Sequence, residues 1–191
     1  MVATTPTRTR LTPADWVAAA LDAIAEGGLS SVAVEALAPK VGASKGSFYW
    51  HFADRAALLE AAFDLWEQTR TEAIIEELRP LADPKDRLRR LFAIAIANPR
   101  AGRIEAALAS EPPHRRAAAV LRRASRRRLA FVRETLMELG FDEEAADHRA
   151  LIIYTAFLGF FSLQQAAGAV LPSGRKLDDY LDSLLDTVTR R

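Results

Sequence analysis

The 191-residue sequence has no cysteine, which excludes a disulfide framework and any thiolate metal site. Lysine is scarce: Lys40, Lys45, Lys85 and Lys176 are the only four, and arginine carries the remaining basic charge, a usage that together with abundant alanine suits a GC-rich bacterial genome. Nine glycines and nine prolines are too few for a disordered or fibrous chain. The longest apolar run, Leu151 to Leu163, is too short to span a bilayer and is flanked by charge. The first ten residues are polar and Thr-rich, without the apolar stretch of a secretory signal, so the expected location is the cytoplasm, with no membrane partner. A net charge of +1 excludes a non-specific nucleic-acid coat protein but permits a binder that keeps its positive charge local. There is no Gly-rich phosphate loop and no strand–turn–helix nucleophile elbow. His51, His114 and His148 lie far apart, and no acidic or His residues fall at metal-ligand spacing. Glu105, Glu111, Glu143 and Glu144 read as surface or helix-start charges. The sequence therefore predicts no catalytic residues, no metal, no cofactor and no enzyme.

What is present is a helix-former's vocabulary: half the residues are hydrophobic, and Ala, Leu, Arg and Glu dominate. No stretch alternates apolar and polar residues as a half-buried strand would. The expected class is all-α, with about nine helices. Thr12-Pro13-Ala14-Asp15 announces the first, and Gly27-Gly28 stops it. A short second helix is expected from Val34 to Val41, a third from Ser44, and a long fourth from an Asp54 cap to Arg79, where Pro80 ends it. Further helices are predicted at about 84–98, 101–110, 113–139, 142–168 and 176–190. The long fourth helix is the expected hinge between a small unit, residues 1–53, and a larger one, residues 54–191.

The most informative segment is Val41-Gly42-Ala43-Ser44-Lys45-Gly46-Ser47-Phe48-Tyr49-Trp50-His51-Phe52. On one helix Phe48 and Phe52 share a face and can bury together, and Trp50 then points away from that core. Tyr49, Trp50 and His51 cannot be buried by the same contact. They either pack against a second domain or a partner, or form a binding surface. Ser44 as a cap, Lys45 as a charge and Gly46 as a site of close approach, beside aromatic hydrogen-bond donors, suit a phosphate backbone.

The run Gly42 to Phe52, followed by Asp54-Arg55 and Leu58-Leu59, resembles the helix-turn-helix signature of TetR-type transcriptional regulators, and Thr12–Gly28 and Val34–Gly42 fit the same pattern. The specific likeness covers about the first sixty-five residues. It implies an N-terminal three-helix DNA-binding domain, with its motif at about 33–52, and a C-terminal helical domain for ligand binding and dimerisation. It further implies that Lys45, Gly46, Ser47 and Trp50 approach base edges and adjacent backbone, that Ser44 caps the recognition helix, and that Tyr49 and His51 clamp phosphates. Arg55 stands where a phosphate-touching Lys is usual. Arg8 and Arg10 read either as a minor-groove arm or as a mobile solvated tail. Two departures from the pattern concern the second helix: Ala33 replaces the usual Thr cap, so Ser31 caps instead or the cap is lost, and Pro39 lies inside the helix and should kink or shorten it.

In the larger unit, the 142–168 segment is apolar nearly all round, and the last helix carries a stripe of Leu177, Tyr180, Leu181, Leu184, Leu185 and Val188. The resemblance implies a homodimer through these two helices, with Gly159 allowing close approach and Phe160 pointing outward. Leu121, Ser125, Leu129, Val132, Leu136 and Leu139 form the buried stripe of the 113–139 helix, which puts most of Arg122, Arg123, Arg126, Arg127 and Arg128 on its solvated face. Phe63, Trp66, Phe92, Ile96, Tyr154 and Phe157 either form plain core or line an apolar cavity for a small effector, with Arg103 and Gln164 as polar contacts. The function expected is an operator-binding repressor released by an apolar or amphipathic ligand. The alternatives are a helical ligand-binding or interaction module that does not bind operator DNA, and, lowest, a helical enzyme.

Overall fold

The computed structural model describes residues 11–110 and 114–190; Arg8, Arg10 and the Glu111-Pro112-Pro113 break lie outside them. Among the described residues there are nine helices and no strand. They are α1 (Pro13–Gly27), α2 (Val34–Lys40), α3 (Lys45–Tyr49), α4, α5 (Pro84–Ile96), α6 (Pro99–Ser110), α7 (Arg115–Glu138), α8 (Glu143–Ala167) and α9 (Arg175–Thr189). Helix α4 is composite: an α segment Arg55–Glu67, a π turn Gln68–Glu72 and a second α segment Ala73–Leu78. The all-α class stands, and the predicted long fourth helix is continuous in direction but interrupted by a π turn that hydrophobic periodicity does not reveal. No described helix is long and apolar enough to cross a membrane.

Local chemistry explains the first unit. Asp15 accepts from the Thr12 backbone N–H at 2.7 Å and its hydroxyl at 2.8 Å, closing the start of α1. Those two bonds, the backbone one first, hold the Asp15 carboxyl below its usual pKa. The contribution of this cap is therefore present above the unfolded carboxylate pKa and lost as pH falls through the folded one. Of the two expectations for α2 the lost cap holds: the Ser31 hydroxyl bonds Gly27 O at 2.7 Å and so finishes α1, and Ala33 leaves α2 without a side-chain cap. Pro39 shortens α2 rather than breaking it, because it stands in the last turn, one residue before an end that closes well. Ala43 N–H reaches back to Ala38 O at 2.8 Å and Gly42 N–H to Pro39 O at 3.1 Å, with Gly42 at φ 66°. This pair of bonds is a Schellman cap, and it needs the left-handed conformation that glycine adopts at little cost.

The core of α1–α4 does not end at residue 53. Trp16, Ile24, Leu37, Phe48, Leu58 and Phe63 pack with Ile104 and Leu108 of α6 and with Ala117, Val120 and Ala124 of α7. A second core joins α5, α7, α8 and α9 through Leu88, Val132, Leu136, Ile153 and Leu185. Ion pairs line the α4–α7 seam: Arg116 with Glu60, Arg123 with Glu67, and Arg127 with Glu72 at 3.2 Å. Numbers rise together on both helices, so the two run in the same direction. These arginines are thereby engaged along α4, while Arg128 turns inward and is the member of the cluster that leaves the solvated face.

Helix α8 is not buried on every side. Ile153, Phe160 and Phe161 face inward, whereas Leu151, Ile152, Leu158 and Leu163 are exposed, and a Cβ at Gly159 would meet nothing within 4 Å. Phe160 is therefore corrected to an interior position, stacked on Tyr180 with ring centroids 6.4 Å apart. The α6–α8 crossing depends on another glycine. A Cβ on Gly102 would stand 2.0 Å from Phe161 Cδ1, and that ring is itself buried against Phe157 and Phe160. Gly102→Ala is expected to lower stability by about 1–3 kcal/mol, the usual cost of overpacking, measurable by urea denaturation.

Candidate nucleic-acid interface and cavity

Helix α3 is short, and its two sides differ sharply. Ser44 caps it, its hydroxyl oxygen accepting from Ser47 N–H at 3.3 Å. Phe48 is fully buried, edge-on to Trp16 at 5.3 Å and stacked on Phe52 at 5.7 Å. Trp50, two residues further, is 89% exposed and Tyr49 55% exposed. Lys45, Gly46 and the cap Ser44 share this outer surface, with Ser47 and His51 only partly buried. A Cβ on Gly46 would make only an ordinary contact, 3.8 Å from Ser44 Oγ, so the fold itself does not require glycine there.

Two of the expected cationic contacts are engaged within the protein. Lys45 Nζ is 2.5 Å from Glu35 Oε1 on α2, and this pairing holds the Glu35 carboxyl below its ordinary range and raises the lysine. Arg55 is corrected from a phosphate contact to a fold-building one: its Nε donates to Val32 O and its Nη2 to Leu29 O, both at 2.5 Å, bracing the connection between α1 and α2 against the start of α4. Lys40 likewise pairs with Glu26 at 2.8 Å. Residues 11–53 hold four carboxylates, Asp15, Asp22, Glu26 and Glu35, against Lys40 and Lys45. The outer face of α3 thus offers aromatic rings and hydroxyls more than free positive charge, and sequence reading missed Glu35 because the pair joins two different helices.

A cavity lies deeper, among α4, α5, α6, α7 and α8, and about 90 Å³ of it admits the centre of a water molecule. Of the expected effector-contact residues, the structure brings together Trp66, Phe92, Tyr154 and Phe157 on its wall. The other four are corrected. Phe63 belongs to the α1–α4 core, with its ring 6.0 Å from His114. Ile96 and Gln164 do not line the cavity, and Arg103 is exposed on α6, one residue from the buried Ile104.

The polar end of the cavity was not foreseen. Glu105, read from sequence as a surface charge, is 4% exposed and receives Arg128 Nη1 at 2.7 and 2.6 Å on its two oxygens. Tyr154 donates to Glu105 Oε1 at 2.9 Å, and the Tyr154 and Ser125 hydroxyls are 2.8 Å apart. Burial first, then the Glu105 charge, pushes the Tyr154 phenol up, so it remains a neutral donor. Arg128 also donates to Thr71 Oγ1 at 3.0 Å and to Arg70 O at 3.3 Å, both on the π turn, and its guanidinium lies 5.1 Å from the centre of the Trp66 ring. One arginine thus ties the π turn of α4 to α6 and, through Glu105, to α8. A signal for it existed: Arg128 is three residues after Ser125 and four before Val132, on the buried stripe.

Residues 17–62 match the family model for bacterial regulatory proteins, tetR family. The chain carries the N-terminal domain of that family. Its whole fold agrees: a transcriptional regulator from Rhodococcus sp. Rha1 superposes with a TM-score of 0.76 at 22% identity, covering 94% of each chain. A TetR transcriptional regulator from Legionella pneumophila gives 0.75 at 16% identity, covering 95% of this chain and 98% of that one. The transcriptional regulator FadR from Bacillus subtilis, solved in complex with stearoyl-CoA, gives 0.70 at 16%, covering 94% and 98%. No curated protein sequence matches the chain. Among the described residues there is no group of His, Asp and Glu that could hold a metal.

Proposed function

We propose that this TetR-type chain is a cytoplasmic homodimeric repressor that a small amphipathic molecule releases from operator DNA. The observation that carries the DNA half is the two-sidedness of α3: Phe48 fixes it to the core while Tyr49 and Trp50 stand in solvent. Two such helices, one per protomer, would enter successive major-groove faces of a near-palindrome. Ser47, Gly46, Lys45 and Trp50 would approach base edges, while Tyr49 and His51 hold phosphates. The unit of residues 1–53 acts as reader and 54–191 as sensor. Selection of bound fragments from random DNA tests this directly: recovery of a near-palindromic site is expected, and recovery of no consensus overturns it.

Lys45 must leave Glu35 to touch a phosphate. Glu35→Gln is therefore expected to tighten operator binding roughly two- to fivefold at low salt, the range of an exposed ion pair. Fluorescence anisotropy with labelled operator measures it; weaker binding would mean that Glu35 positions Lys45 productively.

The release half rests on α4, whose first residue Arg55 is bonded to the reader at Val32 O and Leu29 O and whose π turn runs along the cavity wall. Occupancy that moves Arg70 and Thr71 would tilt the α4 segment before them, and α6 adds a second route, with Glu105 on the cavity and Ile104 and Leu108 in the α1–α4 core. A π turn inside an α-helix often marks such a functional position. The FadR of like fold, solved with stearoyl-CoA, lends support to an amphipathic ligand. By linkage, operator DNA must weaken effector binding by the same factor that effector weakens DNA binding.

A further inference from the structure

We infer that the effector is an apolar molecule bearing one carboxylate, and that Arg70 is the residue that receives it. The inference rests on the ligand-sensing reading above and specifies its chemistry. The cavity wall carries three charged side chains, Arg70, Glu105 and Arg128, beside the neutral Tyr154. Glu105 and Arg128 cancel each other, with both carboxylate oxygens taken by Arg128 and one also by Tyr154. Arg70 is left over. Its guanidinium makes no hydrogen bond or ion pair among the described residues, although it is partly buried and its backbone carbonyl already accepts from Arg128.

An arginine stays ionised in any protein setting, so this charge cannot be relieved by losing a proton. Burial, and after it the nearby Arg128, pulls Arg70 below its usual range, against the smaller opposing pull of the Glu105 charge. Trp66, on the same helix just before the π turn, adds a buried indole N–H with no acceptor. The rest of the wall is apolar, including Ile74, Leu91, Phe92, Phe131, Val132 and Phe157. A net charge of one positive at one end of an apolar chamber is complemented by one negative charge on an apolar body. A carboxylate also matches the planar guanidinium fork. The seat of Arg70 on the π turn means that this one contact falls on the segment of α4 that joins sensor to reader.

The test uses the full chain, straight-chain carboxylates from hexanoate to dodecanoate, the alcohols of the same lengths, and decanoyl-CoA, with dissociation constants measured by calorimetry. At the best-fitting length the carboxylate is expected to bind roughly 10- to 100-fold more tightly than its alcohol, the span of a charge-assisted hydrogen bond in a dry site. Arg70→Gln should erase that preference by weakening the carboxylate far more than the alcohol, without lowering the thermal unfolding temperature, and Arg70→Lys should restore part of it. No carboxylate preference at any length, absence of binding included, overturns the inference. So does a preference that survives in Arg70→Gln, or decanoyl-CoA binding more tightly than decanoate. The release reading fails separately, if a bound carboxylate leaves operator affinity unchanged.

Discussion

Replacing Arg128 by Met is expected to lower the unfolding free energy by roughly 3–5 kcal/mol, the cost of stranding a buried charge whose partner has been removed. The stranded group is Glu105, whose side chain is only 5% exposed in its pair with Arg128. Water cannot easily reach it, and the remaining Tyr154 donor satisfies one lone pair of one oxygen. The substitution also removes the donors to Thr71 Oγ1 and Arg70 O, so the π turn of α4 loses the bonds that fix it. Because the pair as a whole has a desolvation cost that largely offsets its attraction, removing both charges should be far milder than removing one. Arg128→Met with Glu105→Gln is therefore expected to recover most of the loss. Urea denaturation at one fixed protein concentration compares both variants with the unmutated protein. A single substitution costing under about 1 kcal/mol, the scale of an exposed ion pair, would show that water screens this site and that the pair is not a structural junction.

Most of the fold was legible because its signals are local. Thr12 with Asp15, Asp54, Gly42 and the apolar periodicities mark helix ends within a few residues of each other, and the helices of residues 84–190 fall within about two residues of the expected bounds. The aromatic face of α3 was legible for the same reason, since Phe48 and Trp50 are separated by helical geometry alone. What sequence could not supply is who meets whom across helices. Lys45 with Glu35, Arg55 with the carbonyls of Leu29 and Val32, and Arg128 with Glu105 are all pairings between separate elements, and each changes the meaning of a charge that had seemed free. Phe160 illustrates the remaining limit. An all-apolar helix has no polar face to mark its outside, so phase could not distinguish Phe160 from Ile152.

That distinction decides how the dimer should be tested. In the proposed dimer the contact face of α8 is the exposed set Leu151, Ile152, Leu158 and Leu163, with Gly159 open between them and Tyr180 of α9 alongside. An Arg at Phe160 would go into the protomer's own interior and destroy the Tyr180 stack, so its failure to dimerise would say nothing about an interface. Ile152→Asp is the informative change: the side chain is 54% exposed on the protomer, so a lone protomer tolerates the charge with little loss of stability. In a two-fold interface each copy contributes one such carboxylate, so every substitution is felt twice, and an unpaired buried charge costs several kcal/mol. Sedimentation should show the unmutated protein as a dimer at micromolar concentration and Ile152→Asp as a helical monomer. The larger effect should appear on DNA. A dimer holds two reading helices to two half-sites at a high effective concentration, and a monomer holds one. Operator affinity of Ile152→Asp is therefore expected to fall by about 10²–10⁴, although residue 152 lies on a helix remote in sequence from the reading surface. A stable monomer in the unmutated protein would refute the interface. A dimeric Ile152→Asp with full operator affinity would place the contact on another face.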